Sequence, residues 1–224
     1  LRGLQRLPLL GPRLAPLLGP CPYQGPRRSG RVAITFDDGT NGADTVAVLD
    51  ALARHGARAT FFCVGRAAAA QPELLRRMAA EGHEIGNHTH DHRKLTWLSA
   101  AAIARQIDDA QAAITACGVA APRWFRAPHG FKAPALLPLL RARGLALVAW
   151  THGVWDTDRP GAAAIARRAQ AHLRSGEILL LHDGGGDRSQ TAAALEDLLR
   201  ACAQRGLTAV TLSALLGSAS SPRA

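Results

Sequence analysis

The sequence predicts an α/β protein whose parallel strands close into a ring with helices outside. From Arg31 onward, seven apolar runs of strand length alternate with six stretches of helical period. Such alternation implies parallel strands joined by right-handed crossovers. Uncommon polar side chains follow five of the seven strands. A doubly wound sheet gathers functional groups at one switch point, whereas a barrel collects them at the C-terminal ends of many strands. The spread over five strand ends therefore favours a barrel.

In chain order, the expected strands are Val32–Phe36, Ala59–Val64, His83–Asn87, Trp124–Arg126, Ala146–Thr151, Glu177–His182 and Leu207–Leu212. The helical stretches between them are 44–55, 72–81, 99–117, 134–143, 161–174 and 190–205. Gly56, Gly82, Gly118, Gly144 and Gly206 each stand just past a helical stretch, where the chain needs a left-handed residue to leave a helix. Ahead of the first strand, Pro8, Pro12, Pro16, Pro20, Pro22 and Pro26 interrupt any helix or strand. Residues 1–30 thus read as a linker or packed-down arm, 31–216 as one barrel domain, and 217–224 as a tail.

Composition excludes several classes. Of 224 residues 47% are hydrophobic and 20% charged, which rules out wholesale disorder, collagen-like structure and a coiled coil. The formal net charge of +10 suggests an anionic partner, yet only Lys94 and Lys132 are lysines and the arginines are scattered. Aromatic residues, at 4%, are too few for base-stacking platforms, so no nucleic-acid partner is expected. Cys21, Cys63, Cys117 and Cys202 form no C-x-x-C pair and read as single thiols rather than a zinc cluster or disulfide framework. No run of about 20 apolar residues exists, so no membrane span is expected. With unpaired thiols and no signal-like segment the cytoplasm is the expected compartment; an upstream signal or anchor would instead place the protein in the periplasm or cell envelope. Nothing in the sequence bears on oligomeric state.

The residues able to carry chemistry lie at the strand ends. Asp37 and Asp38 close the first strand and precede Gly39; neighbours in a strand face opposite ways, so both reach one cavity only if a turn begins here. One carboxylate can then bind a metal while the other moves a proton, although an Asx turn or helix N-cap uses the same residues. Asn87-His88-Thr89-His90-Asp91-His92 holds three of the nine histidines. His88 and His92, four apart, can converge on one cation from a helical turn or tight loop, with His90 directed elsewhere; a solvated His-rich loop is the alternative. One Asp and two His leave coordination positions open, the catalytic rather than the structural arrangement, and suit hydrolysis of an amide or ester. His182 ends the buried run Ile178-Leu179-Leu180-Leu181 and can donate a proton to a leaving group or serve as a core histidine. Arg126 can hold a carboxylate by a bidentate pair or lie exposed.

Taken in order, Thr35-Phe36-Asp37-Asp38-Gly39, His88-Thr89-His90-Asp91-His92, Arg126-Ala127-Pro128-His129-Gly130, Trp155-Asp156 and Leu180-Leu181-His182 resemble the motifs of polysaccharide deacetylases with the NodB homology domain, carbohydrate esterase family 4. The resemblance spans about Arg31 to Leu216. It implies a distorted seven-stranded (β/α) barrel, in agreement with the strand count above. It implies that Asp38, His88 and His92 bind one divalent metal ion, usually Zn2+ with Co2+ or Ni2+ able to substitute. It gives Asp37 the role of general base, Arg126 that of orienting the base, His182 that of general acid, and Leu180 that of a wall for the acetyl methyl group. A backbone N–H near His129 would face the oxyanion.

Two positions depart from the family pattern. His129 stands where the family usually has an aromatic residue, often Tyr. The fourth motif, commonly Asp-x-x-Asp-Trp, reads Gly153, Asp156 and Thr157, so Trp155 is expected to supply the missing apolar wall and Asp156 to orient His182, with Asp158 as the alternative. The implied function is metal-dependent removal of N-acetyl groups from an amino sugar or glycan such as a chitooligosaccharide or peptidoglycan. An amidohydrolase of a non-sugar amide or cyclic imide, or an O-acetyl esterase, would use the same groups. A non-catalytic basic binding barrel would need none of them.

Overall fold

Strand β1 (Arg31–Asp37) lies at the centre of the sheet, and every residue from Val32 to Asp37 is buried, as befits a parallel strand covered on both faces. In the computed structural model, which describes residues 21–217, β1 pairs along one edge with β7 (Ile178–His182), from Ala33↔Ile178 to Asp37↔His182. Its other edge is divided. β8 (Thr208–Val210) takes Arg31 to Ala33 and β2 (Thr60–Cys63) takes Thr35 to Asp37. Outward from β2 follow β3 (Glu84–Asn87), β4 (Trp124–Phe125) and β5 (Ala146–Leu147), while β6 (His152–Gly153) flanks β7. All pairings are parallel.

The expected single strand Ala146–Thr151 is in fact two short ones, and this break shapes the molecule. β5 and β6 lie at opposite ends of the sheet path, yet the chain from Leu147 to His152 can reach at most about 18 Å. Seven strands laid flat at ~4.8 Å spacing would put the outer two about 29 Å apart. The sheet must therefore curl until its ends nearly meet. The intervening residues bridge the gap: Val148 N–H bonds Phe125 O at 3.0 Å on one side, and Thr151 N–H bonds Ile178 O at 2.9 Å on the other. Counting this divided wall once, the seven strands expected from the sequence are present, and the distorted barrel takes the form of a curled half-barrel.

The helices follow the pattern with local changes. α1 (Gly42–Arg54), α3 (Pro72–Ala80), α4 (Ala100–Ala116), α5 (Leu136–Arg141), α6 (Ala162–Ala171) and α7 (Ser189–Gln204) occupy the six expected stretches. Two short helices were not expected. α2 (Gly65–Ala70) fits closely against α4, where a Cβ on Gly65 would lie 2.8 Å from the Ala110 Cα. α8 (Leu212–Leu216) ends the seventh predicted strand early, because Thr211 caps it by accepting the Ala214 N–H. The five glycines past the helices all have positive φ, from 58° at Gly56 to 84° at Gly118.

The main core packs the faces of β1, β2 and β7 against α1, α6 and α7, with Phe36 stacked on Phe61 at 5.1 Å between centroids. Of the proline-rich arm, residues 1–20 lie outside the described residues, as do residues 218–224 of the tail. The described end of the arm packs on the barrel: Pro22 O accepts the Ala149 N–H at 2.9 Å and Gly25 N–H donates to Gly176 O at 2.8 Å.

Candidate active site

The C-terminal ends of β1, β3, β4 and β7 converge on one cluster of side chains. At the end of β1 the turn starts one residue earlier than Gly39 alone would suggest: Asp38 itself is left-handed, with φ 72°. Gly39 is needed for space instead, since a Cβ there would lie 2.4 Å from both oxygens of Asp183.

His88 and His92 sit in a loop, not on a helical turn. Thr89 and His92 have φ of 69° and 59°, and the loop is pinned from below. Asn87 Oδ1 accepts the Thr89 N–H, Thr89 Oγ1 accepts the His92 N–H, and Gln106 Oε1 accepts the N–H groups of His90 and Asp91. Buried His88 places Nδ1 2.8 Å from Arg126 O, a carbonyl that only accepts, so Nδ1 carries the proton and Nε2 presents a lone pair. That Nε2 lies 3.4 Å from Asp38 Oδ1, and His92 Nε2 lies 3.0 Å from the same oxygen.

One ligand atom from each of Asp38, His88 and His92 falls within 4.8 Å of the others. Asp38 Oδ1 is buried and makes no hydrogen bond of acceptable geometry, despite the short approach of His92. A buried carboxylate oxygen and two imidazoles aimed at one volume form a donor set that fits a divalent cation of zinc type. Burial acts to raise the Asp38 pKa, but His88 and His92 outweigh it and hold the carboxyl far below the usual range. Burial acts to lower the His88 pKa, and Asp37 and Asp38 reverse it to a net rise.

Arg126 is fully buried, and its expected bidentate clamp is not formed. Nη1 alone reaches Asp37 Oδ1 at 2.8 Å and also donates to Thr35 Oγ1 at 2.7 Å, while Nη2 donates to Ala149 O at 3.2 Å. The second nitrogen is instead engaged by the Ala149 carbonyl, which lies in the break between β5 and β6. The guanidinium also lies over the Phe62 ring, 4.1 Å from its centroid.

Opposite Asp37, His182 Nδ1 lies 2.8 Å from Asp156 Oδ1, and the His182 backbone N–H donates to Asp156 Oδ2 at 2.8 Å. Thr191 Oγ1 donates to the same Oδ2 at 2.9 Å. Asp156, not Asp158, is thus the partner of His182. Burial would lower the His182 pKa, but the Asp156 hydrogen bond and charge raise it overall. The reciprocal contact outweighs burial in lowering that of Asp156.

The rim is less uniform. His129 has φ 57° and packs its ring against His92 at 4.6 Å between centroids; burial, then His92 and Lys94, lower its pKa. Leu180 is in register with Gly153. The tryptophan beside them is Trp150: a Cβ on Gly153 would lie 3.6 Å from Trp150 Nε1 and 3.9 Å from Leu180 Cδ2. Trp155, expected as the apolar wall, is left-handed at φ 58° and half-buried, with its carbonyl taking the Arg168 Nη1 at 3.4 Å. Four partners of the site escaped the sequence reading: Thr35, Trp150, Asp183 and Thr191. Thr35 and Trp150 had a signal, a hydroxyl inside a doubly buried strand and an aromatic side chain ending an apolar run.

Asp183 is the least expected. It is fully buried, Oδ2 accepts Thr45 Oγ1 at 2.7 Å, and Oδ1 has no partner among the described residues. Burial pushes its carboxyl up to about 7.

A curled parallel half-barrel carrying a carboxylate and two imidazoles beside a separately held carboxylate and histidine is the equipment of a hydrolase. A family model described as polysaccharide deacetylase matches residues 24–148. The chain is 42% identical over 186 residues to a chitooligosaccharide deacetylase of Sinorhizobium fredii, covering 78% of this chain and 86% of that one. It is 37% identical over 199 residues to a peptidoglycan-N-acetylglucosamine deacetylase of Bacillus cereus, covering 87% and 92%. Among solved structures, a family 4 carbohydrate esterase from Streptomyces lividans in complex with acetate superposes with a TM-score of 0.76 at 32% identity, covering 81% and 92%. The chain belongs to the polysaccharide deacetylase family, carbohydrate esterase family 4, and is a hydrolase of that family.

Proposed function

We propose that this protein removes N-acetyl groups from N-acetylated amino-sugar units of a glycan such as a chitooligosaccharide or peptidoglycan, with the help of one divalent cation. The observation that carries the reading is the convergence of Asp38, His88 and His92 within 4.8 Å, next to Asp37 and His182, which are register partners across β1 and β7. Asp38, His88 and His92 would hold the ion, zinc by the chemistry of one carboxylate and two imidazoles with cobalt or nickel able to replace it. Such an ion, when bound, acidifies water and polarises an amide carbonyl.

The chain's own groups do the rest. Asp37, kept in place by Arg126 Nη1 at 2.8 Å, takes a proton from the water that attacks the acetyl carbon. His182 leaves Nε2 available because Nδ1 is engaged by Asp156, and it gives a proton to the amide nitrogen as the C–N bond breaks. Acetate and the free amine are the products. Leu180 and Trp150 border the place where an acetyl methyl group would lodge, and His129 stands at the rim.

The relatives named for chitooligosaccharides and for peptidoglycan N-acetylglucosamine support an amino-sugar substrate. The test is acetate release from N-acetylchitooligosaccharides, peptidoglycan fragments, acetyl esters and cyclic imides, with and without chelator. Release from the first two, lost on chelation and restored by zinc, is expected. Full activity of metal-free protein, or turnover of esters or imides alone, would overturn the reading. For the compartment we propose the cytoplasm, supported by four cysteines without a disulfide among the described residues and tested by cell fractionation.

A further inference from the structure

The Asp37–Thr40 turn and the segment after β7 are packed together more tightly than any side chain larger than glycine would allow. A Cβ on Gly184 would lie 2.1 Å from Asp38 O, one on Gly185 2.8 Å from Asp38 Oδ2, and one on Gly39 2.4 Å from the Asp183 oxygens. The Asp183 carboxylate is therefore pressed flat against the backbone that carries Asp37 and Asp38. Its own N–H donates to Asp37 O at 3.2 Å. From the far side, Thr45 Oγ1 on α1 donates to Asp183 Oδ2 at 2.7 Å, and the same hydroxyl accepts the Asn41 N–H at 2.8 Å.

This placement is hard to explain as a device for stability. Among the described residues Asp183 has no cationic partner, one of its oxygens is orphaned, and Asp37 and Asp38 are further carboxylates close by. Burying a carboxylate in that way works against folding. An apolar side chain of the same size would be the stable choice, so the acid is there for what it holds.

We propose that Asp183 is a positioning residue: its carboxylate, locked by Thr45, braces the Asp37–Gly39 turn against β7 and so fixes Asp37 and Asp38 relative to His182. It touches no reacting atom. It acts by limiting the freedom of the turn, in the way that groups behind metal ligands commonly set both affinity and rate.

The experiment compares Asp183→Asn, Asp183→Leu, Thr45→Val and Thr45→Ser with the parent protein. It reads zinc affinity by competition with a chromophoric chelator, melting temperature after chelation, and kcat and KM for acetate release. Loss of the brace is expected to weaken zinc binding roughly 10–100-fold and lower kcat by a similar factor, with KM changing less than about twofold. Melting temperature in Asp183→Leu is expected to equal or exceed that of the parent, and Thr45→Ser, which keeps the hydroxyl, to restore both zinc affinity and kcat. Zinc affinity and kcat unchanged in Asp183→Asn and Thr45→Val would overturn the proposal. So would a fall in melting temperature that tracks the functional losses in every variant, since that is the signature of a purely structural residue. The kcat arm rests on the proposed deacetylase function, whereas the zinc and melting arms do not. A parent that binds zinc but releases no acetate therefore sinks the functional reading and leaves the brace decided by the other two.

Discussion

Asp37 and His182 are register partners on adjacent parallel strands, and each is gripped by a different buried residue, Arg126 at 2.8 Å and Asp156 at 2.8 Å. The two groups proposed to move protons are thus set side by side by the sheet while their environments are controlled independently. In the proposed mechanism Asp37→Asn removes the proton acceptor while keeping all three candidate ligands, Asp38, His88 and His92, and it also withdraws the charge that raises the His88 pKa. Acetate release should fall roughly 10²–10⁴-fold while the protein still takes up one zinc equivalent. Combining it with His182→Ala should cost far less than the product of the two single effects if the two groups serve the one proposed reaction.

Asp156 raises the pKa of His182, overcoming a burial effect of opposite sign. In the proposed mechanism His182 acts in its protonated form, so activity is expected to decline as pH rises through that raised value. Asp156→Asn withdraws the charge, and the alkaline limb of the kcat/KM profile should move to lower pH, with a loss of kcat. Stability shifts too. A histidine whose folded pKa is raised adds stability that is complete below its unfolded value, near 6.5, and disappears as pH rises through the folded value. The advantage of the parent over Asp156→Asn in melting temperature should accordingly shrink above neutral pH. An alkaline limb that stays in place would exclude His182 as the acid.

Arg126 and Asp37 form an ion pair with almost no contact with water. Arg126→Met leaves Asp37 buried and without its cation, and also strips a donor from Thr35 Oγ1 and Ala149 O. Breaking a buried pair from one side costs about 3–5 kcal/mol, to be read from urea unfolding. A cost below about 1 kcal/mol, the range of surface pairs, would contradict the burial seen here.

Two neighbouring glycines should behave differently. Gly184→Ala would drive a methyl group into the Asp38 backbone, with a Cβ only 2.1 Å from the carbonyl oxygen, so Asp38 must move and zinc affinity should collapse. Gly186→Ala meets nothing closer than 3.9 Å and carries only the strain of φ +129°, about 1–3 kcal/mol of stability with zinc binding retained. Equal loss of zinc in both variants would show that the tight fit at Asp38 is not what matters.

Much of this protein was legible in order along the chain. Alternating apolar periods, glycines after helices and carboxylates or histidines at strand ends are local signals, and they pointed to a barrel and to Asp37, Asp38, His88, His92, Arg126, Asp156 and His182 as one group. What local signals cannot carry is which groups meet across the barrel. The divided wall at residues 146–153 depends on the sheet curling until its ends nearly meet, and within that break lies the Ala149 carbonyl that takes the second nitrogen of Arg126, so Asp37 is held by one nitrogen rather than two. Trp150, in the same break, lies beside Leu180. Asp183 reads in the sequence only as the residue after a histidine. Its carboxylate gains meaning from the close approach of Gly39 and the hydrogen bond from Thr45, 144 and 138 positions away, because burial removes water and leaves the group to neighbours that only folding brings near.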